Sequence, residues 1–78
     1  MAHYRKKPLI VEAQQWFPGV DIPGVEGVGN AHGLIETLEG FLMVSPGDWV
    51  IRGTAGELHP CKPDIFEATY EPVNNEPT

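Results

Sequence analysis

The amino-acid sequence predicts a mostly-β fold of the α+β class, a small antiparallel meander or partly open barrel with one short C-terminal helix. Two observations carry this prediction. Short apolar runs alternate with glycine- and proline-containing turns through residues 34–60, which is typical of strands joined by tight connections. A chain of 78 residues has room for one domain with a thin core, so residues 1–78 are expected to fold as one unit.

The first half of the chain contains one strand pattern and one turn-rich segment. Apolar side chains recur through residues 9–16, which predicts a strand that ends at Pro18. Residues 18–33 then hold five glycines and two prolines, which oppose regular structure. We expect a long loop over 18–33, either an exposed connection or a lid over a ligand or partner.

The second half carries the strongest turn signals. Residues 34–38 can pair with residues 41–44 across a short hairpin connection. Pro46 and Gly47 then occupy the central positions of a type II turn. Strands over 49–52 and 57–60 complete a meander of consecutive antiparallel neighbours.

A short helix is expected after the meander. Asp64 is suited to cap a helix, and Glu67 lies three residues later, as in a capping box. Pro72 limits the helix to about two turns, or lets residues 69–73 return as a strand. The polar tail over 74–78 is expected to fray.

The distribution of charge argues against nucleic acid as a partner. The net charge is −6, and the only basic cluster is Arg5, Lys6 and Lys7. After residue 10, two cations face eleven acids, and such a body repels phosphate backbones. No apolar run is long enough for a signal peptide or a membrane span, and Cys61 has no partner for a disulfide. We therefore expect a cytoplasmic protein that binds neither membranes nor nucleic acid directly.

The alternating residues Glu57, His59 and Cys61 are each competent zinc ligands. On one strand, however, they spread over roughly 13 Å, which is too far for one ion. We therefore expect no metal and no other cofactor.

The sequence evidence for a catalytic site is as weak as that for a metal site. We therefore predict that the protein is not an enzyme. A Cys61–His59 nucleophile with Asp64 as its orienting group would need contacts of about 3 Å, whereas strand positions two apart lie nearer 7 Å. The close acidic pairs fit a turn and a helix cap better than acid–base catalysis; they are Glu36/Glu39 and Asp64/Glu67.

Five residues are candidates for a binding site. Arg5, Arg52 and Lys62 offer positive charge to an anionic ligand. Trp16 and Trp49 each lie beside a turn, where an indole is either core or a surface on which a base can stack.

Five segments carry a resemblance to a known family: YRKKP at 4–8, VEAQ at 11–14, IETLEG at 35–40, SPGDWVIRG at 45–53 and PCKPDIFEATYE at 60–71. With these motifs the chain resembles a family of small proteins from tailed bacteriophages and prophages. The similarity covers residues 4–17 and 34–73 and omits the glycine-rich loop. It implies a context, the cytoplasm of an infected bacterium, and no reaction.

Our functional hypothesis from the sequence is a phage accessory protein that binds a host protein or a defence component. The alternatives are a protein that binds or sequesters a small anionic ligand such as a nucleotide signal, and a virion or assembly component. A homodimer is expected because a thin core without a disulfide leaves apolar area and strand edges uncovered. The contact is predicted through a sheet face or through the strand that contains Val11.

Overall fold

Six strands and one short helix make up the computed structural model, which describes residues 1–5 and 7–73. The elements are β1 (Glu12–Gln15), β2 (Val25–Val28), β3 (His32–Thr37), β4 (Gly40–Val44), β5 (Trp49–Arg52), β6 (Leu58–Cys61) and α1 (Pro63–Thr69). Two antiparallel sheets result, one with the order β1-β5-β6 and one with the order β2-β3-β4. The mostly-β class with a C-terminal helix is confirmed, and the described strands do not close into a barrel.

The chain changes sheets at residues 45–48, so the prediction of one continuous meander was wrong. The type II turn is present: Gly47 has φ 92°, and the Asp48 N–H donates to the Ser45 carbonyl at 3.0 Å. The turn is also bonded to the end of β1. The Trp16 N–H donates to the Asp48 carbonyl, and the Gly47 N–H donates to the Trp16 carbonyl, both at 2.8 Å. These bonds extend the β1–β5 ladder and direct β5 away from β4.

The prediction of a long loop over 18–33 was also wrong. All of β2 and the first residues of β3 lie in this segment, and Val25 pairs with Ile35. Gly24 and Gly29 have positive φ angles of 95° and 59° and lie immediately beside the two ends of β2. Gly24 lies in the turn that leads into β2 and Gly29 in the β2–β3 hairpin connection, so glycine here builds turns that flank a strand.

The first strand is shorter than predicted, covering four residues at the end of the expected 9–16 stretch. Glu12 pairs with Arg52, the last residue of β5, and Gly53 begins the next connection. Residues 9–11 therefore extend past the end of their neighbour and have no strand partner among the described residues.

The capping-box prediction was wrong, because helix α1 begins at Pro63, two residues before the start that an Asp64 cap would give. Pro63 occupies the first turn, where its missing N–H costs nothing, and Lys62 is the N-cap without a side-chain bond. Asp64 lies in the first turn, where its charge is favourable. Seven residues are too few to cross a membrane, and no other helix is described. The predicted fraying of 74–78 lies outside the described residues.

The core lies between the two sheets. Its buried cluster is Trp16, Ile22, Ile35, Val44 and Val50, with Val20, Val25 and Leu58 packed against it.

Gly33 allows the closest packing in this core. A Cβ added there would lie 2.8 Å from Val25 Cγ1 and 3.3 Å from Trp16 Cζ2. We expect Gly33→Ala to lower the free energy of unfolding by about 1–3 kcal/mol through overpacking. Gly27 is the matched control, because it pairs with Gly33 across the ladder and a Cβ added there meets nothing within 4 Å. Urea denaturation should show Gly27→Ala near wild type, and equal losses for both variants would contradict this packing.

Candidate functional site

The structure does not bring the five predicted binding residues together. Trp16 is only 3 % exposed and lies in the core, so it presents no face to a ligand. Trp49 and Arg52 occupy opposite ends of β5 and, three positions apart, point to opposite faces of the sheet. Arg5 lies in the exposed N-terminal segment, outside any strand.

Two of the predicted cations are engaged by carboxylates. The Lys62 Nζ lies 3.2 Å from Asp48 Oδ2, and the Asp48 side chain is 4 % exposed. The Arg52 Nε lies 3.6 Å from Glu12 Oε1 at the surface. The Asp48 carboxylate also accepts the Ser45 N–H at 2.9 Å, so the Lys62 contact forms part of the turn that joins the sheets.

Helix α1 covers the face of β5 that carries Trp49. Trp49 and Phe66 stack with ring centroids 4.2 Å apart and an interplanar angle of 6°, and Phe66 stacks on Tyr70 at 5.0 Å. The Trp49 indole N–H is buried without a hydrogen-bond partner among the described residues. One face of the Trp49 indole is therefore covered by Phe66 and cannot stack on a ligand.

Exposed apolar side chains lie next to one another on the outward face of the β2-β3-β4 sheet. The cross-strand register places its members on one face, and we call the set the outer patch: Val28, Leu34, Phe41 and Met43. Phe41 is 62 % exposed and Met43 59 %. Glu26 pairs with Leu34, and Glu36 pairs with Phe41, so carboxylates border the patch.

An open groove of about 1110 Å³ separates the β3–β4 hairpin from the β5–β6 hairpin. We call it the hairpin groove. Residues 35–42 form one wall, residues 56–58 form the other, and Arg52 with residues 23–24 completes the lining. Three of its charged residues are acids and one is a base, which does not favour an anionic ligand. They are Glu36, Glu39, Glu57 and Arg52.

The residues considered for metal binding show no ion-binding geometry. Glu57 Oε1 accepts the Ala55 N–H at 3.1 Å, within the β5–β6 connection. No group of three potential ligands occurs among the described residues. The sequence prediction remains: the purified protein should lack stoichiometric zinc, and a chelator should leave its melting temperature unchanged. A drop of several degrees with chelator would contradict it.

Comparisons of the chain with protein-family models, with curated proteins and with solved structures gave no match. Function is therefore inferred from the surfaces described above.

The outer patch was not among the sequence-based candidates. A signal for it exists in the run Phe41-Leu42-Met43-Val44, where four successive apolar residues make both faces of a strand apolar. Such a run is typical of a strand buried on both sides. In this chain only the inward face is covered within the described residues.

Proposed function

We propose that this chain is a phage-encoded accessory protein, and not an enzyme, that binds a host or defence protein in the infected bacterium through its outer patch. The phage context rests on the resemblance carried by residues 4–17 and 34–73. The binding surface rests on the exposure of Phe41 and Met43 side by side on a strand face.

The composition of the outer patch suits a protein partner. Aromatic residues and methionine are enriched at protein interfaces. Because the patch lies on paired strands, its backbone is already ordered before binding, which lowers the entropic cost. Contiguous exposed apolar side chains with a polar border are also a mark of interaction surfaces.

The border of the patch indicates the chemistry of the partner. Glu26 and Glu36 place negative charge beside the apolar side chains, and the chain as a whole carries −6. Complementary potentials favour a partner surface with apolar residues flanked by lysine or arginine. A small anionic ligand has less support, because Lys62 is paired with the buried Asp48 and Arg52 with Glu12.

A pair of matched variants tests this proposal. The patch variant combines Phe41→Ser and Met43→Ser. The control combines Ile65→Ser and Val73→Ser, which remove exposed apolar side chains outside the patch. Each tagged chain is incubated with extract of phage-infected bacteria, and the recovered proteins are quantified by mass spectrometry.

We expect at least one protein to co-purify with wild type and the control and to fall about tenfold or more with the patch variant, the loss expected when central interface side chains are truncated. The purified candidate should then bind wild type directly. A partner that both variants retain equally would place the contact elsewhere. A small molecule in native mass spectra of the recovered chain, with no protein partner, would favour the ligand-binding alternative.

A further inference from the structure

The N-terminal arm, residues 1–11, is apolar and basic in sequence, and its described residues, 1–5 and 7–11, are mostly exposed. Leu9 is 63 % exposed and Ile10 74 %, and Tyr4 is almost fully exposed. Arg5 and Lys7 supply positive charge, with Lys6 between them in the sequence. Bulky apolar side chains beside the only basic cluster of an acidic protein form a segment suited to an acidic, apolar site.

The arm has the sequence of a strand without a neighbour to pair with. Leu9, Ile10 and Val11 favour extended structure, but β5 ends at Arg52, opposite Glu12. Pro8 keeps the residue before it extended. The arm therefore runs past the end of β5 and has no strand to pair with among the described residues.

The hairpin groove has the complementary properties. Leu42 shares the inward face of its sheet with the buried Ile35, yet it is 38 % exposed and lines the groove. Leu38, at the tip of the hairpin, is fully exposed. Glu36 and Glu39 line the same groove and have no ion pair among the described residues.

We propose that the N-terminal arm of one copy docks into the hairpin groove of a second copy, and that the exchange is reciprocal. Arg5 and Lys7 then face Glu36 and Glu39, while Leu9 and Ile10 cover the apolar wall. Reciprocal exchange about a two-fold axis closes the assembly at two chains, the commonest form of oligomer.

The charges of the arm and the groove favour this contact over two other ways in which two copies could associate. Pairing two arms side by side would bring two basic clusters together, and stacking two outer patches would bring the bordering Glu26 and Glu36 together. Docking of the arm in the groove joins opposite charges, which neither of those two contacts does. Glu36 and Phe41 belong both to the groove lining and to the outer patch or its border, so a docked arm and a host protein would compete for them. The inference rests on the arm and the groove and does not depend on the proposed function.

Two complementary charge-reversed chains test the exchange. The arm-reversed chain carries Arg5→Glu, Lys6→Glu and Lys7→Glu. The groove-reversed chain carries Glu36→Lys and Glu39→Lys, both at exposed positions. The mass of each full-length chain, and of their equimolar mixture, is measured by sedimentation equilibrium at low salt, with circular dichroism to check that each is folded.

Wild type should sediment at twice the 8.6 kDa of one chain, and each reversed chain alone should shift to the single-chain mass. The mixture should recover the double mass, because the acidic arm then meets the basic groove and the basic arm meets the acidic groove. Raising the salt to about 0.5 M should weaken the wild-type association at least tenfold, since exposed charges are screened.

Three results would overturn the proposal. One is a wild-type chain that stays at 8.6 kDa on tenfold concentration. Another is reversed chains that each associate as wild type does, which would point to the outer patch. The last is a mixture that gains no mass although both chains are folded, which would mean that the arm does not cross between copies.

Discussion

Replacing Trp16 with alanine should lower the free energy of unfolding by about 3–5 kcal/mol, the range for deleting a large buried aromatic side chain. A domain of 78 residues is expected to be stable by only about 4–12 kcal/mol, so this loss removes much or all of the folded population. Trp16 contacts the core from both sheets and lies against Gly33. Urea denaturation followed by circular dichroism measures the change.

The second tryptophan supplies the control. Trp49→Phe keeps an aromatic ring to stack on Phe66 and deletes the buried indole N–H that has no partner among the described residues. Because an unsatisfied buried donor is itself destabilising, we expect this variant to be as stable as wild type or slightly more stable. If Trp49→Phe cost as much as Trp16→Ala, the assignment of Trp16 as the central core residue would be wrong.

Replacing Lys62 with methionine should cost about 3 kcal/mol, the lower end of the range for removing one partner of a buried ion pair. The lower end applies because the Lys62 side chain is 59 % exposed, whereas the Asp48 side chain is almost fully buried. The variant leaves a buried carboxylate whose remaining hydrogen-bond donor, among the described residues, is the Ser45 N–H. Thermal denaturation at neutral pH measures the loss.

Replacing Asp48, the other partner of this ion pair, should cost less stability than replacing Lys62. This difference between the two variants is the specific expectation. Asp48→Asn keeps an oxygen that can accept the Ser45 N–H and leaves Lys62 free to be solvated, so we expect a cost of about 1 kcal/mol or less. The double variant Asp48→Asn/Lys62→Met should be more stable than Lys62→Met alone. Equal effects of the two single changes would show that Asp48 is more hydrated than the structure indicates.

The sequence predicted the strands and turns whose causes are local. The type II turn at residues 45–48 needs only a proline and a glycine in adjacent positions, and it is present with Gly47 at positive φ. The sheet change at that turn depends on bonds to Trp16, which is 32 positions from Asp48 along the chain. A contact at such a sequence distance is not visible in the periodicity of the sequence. The prediction therefore placed β4 and β5 in one meander, whereas they lie in different sheets.

The glycine-rich segment misled the prediction for a different reason. Glycine weakens a strand when it replaces a packed side chain, but at Gly33 the missing side chain makes space for Trp16. The need for this space arises only when β1 and β3 are brought together. Composition alone therefore predicted a loop where a hairpin forms.

The candidate site was the least predictable part. Arg52, Lys62 and Trp49 were selected by residue type, and the structure engages them with Glu12, Asp48 and Phe66 within the chain. The outer patch exists because one face of β4 is left uncovered by the described residues. Both faces of this strand are apolar, so its sequence does not indicate which face packs against the core.

Oxidative footprinting of the partner-bound chain is the most direct test of the outer patch as the binding surface. Hydroxyl radicals modify exposed aromatic and sulfur-containing side chains, so Phe41 and Met43 should be strongly labelled in the free chain. With the co-purifying host protein bound, both should be protected, while Tyr70, which stacks on Phe66, should keep its free-chain labelling. Protection of Tyr70 with unchanged labelling of Phe41 and Met43 would contradict the account.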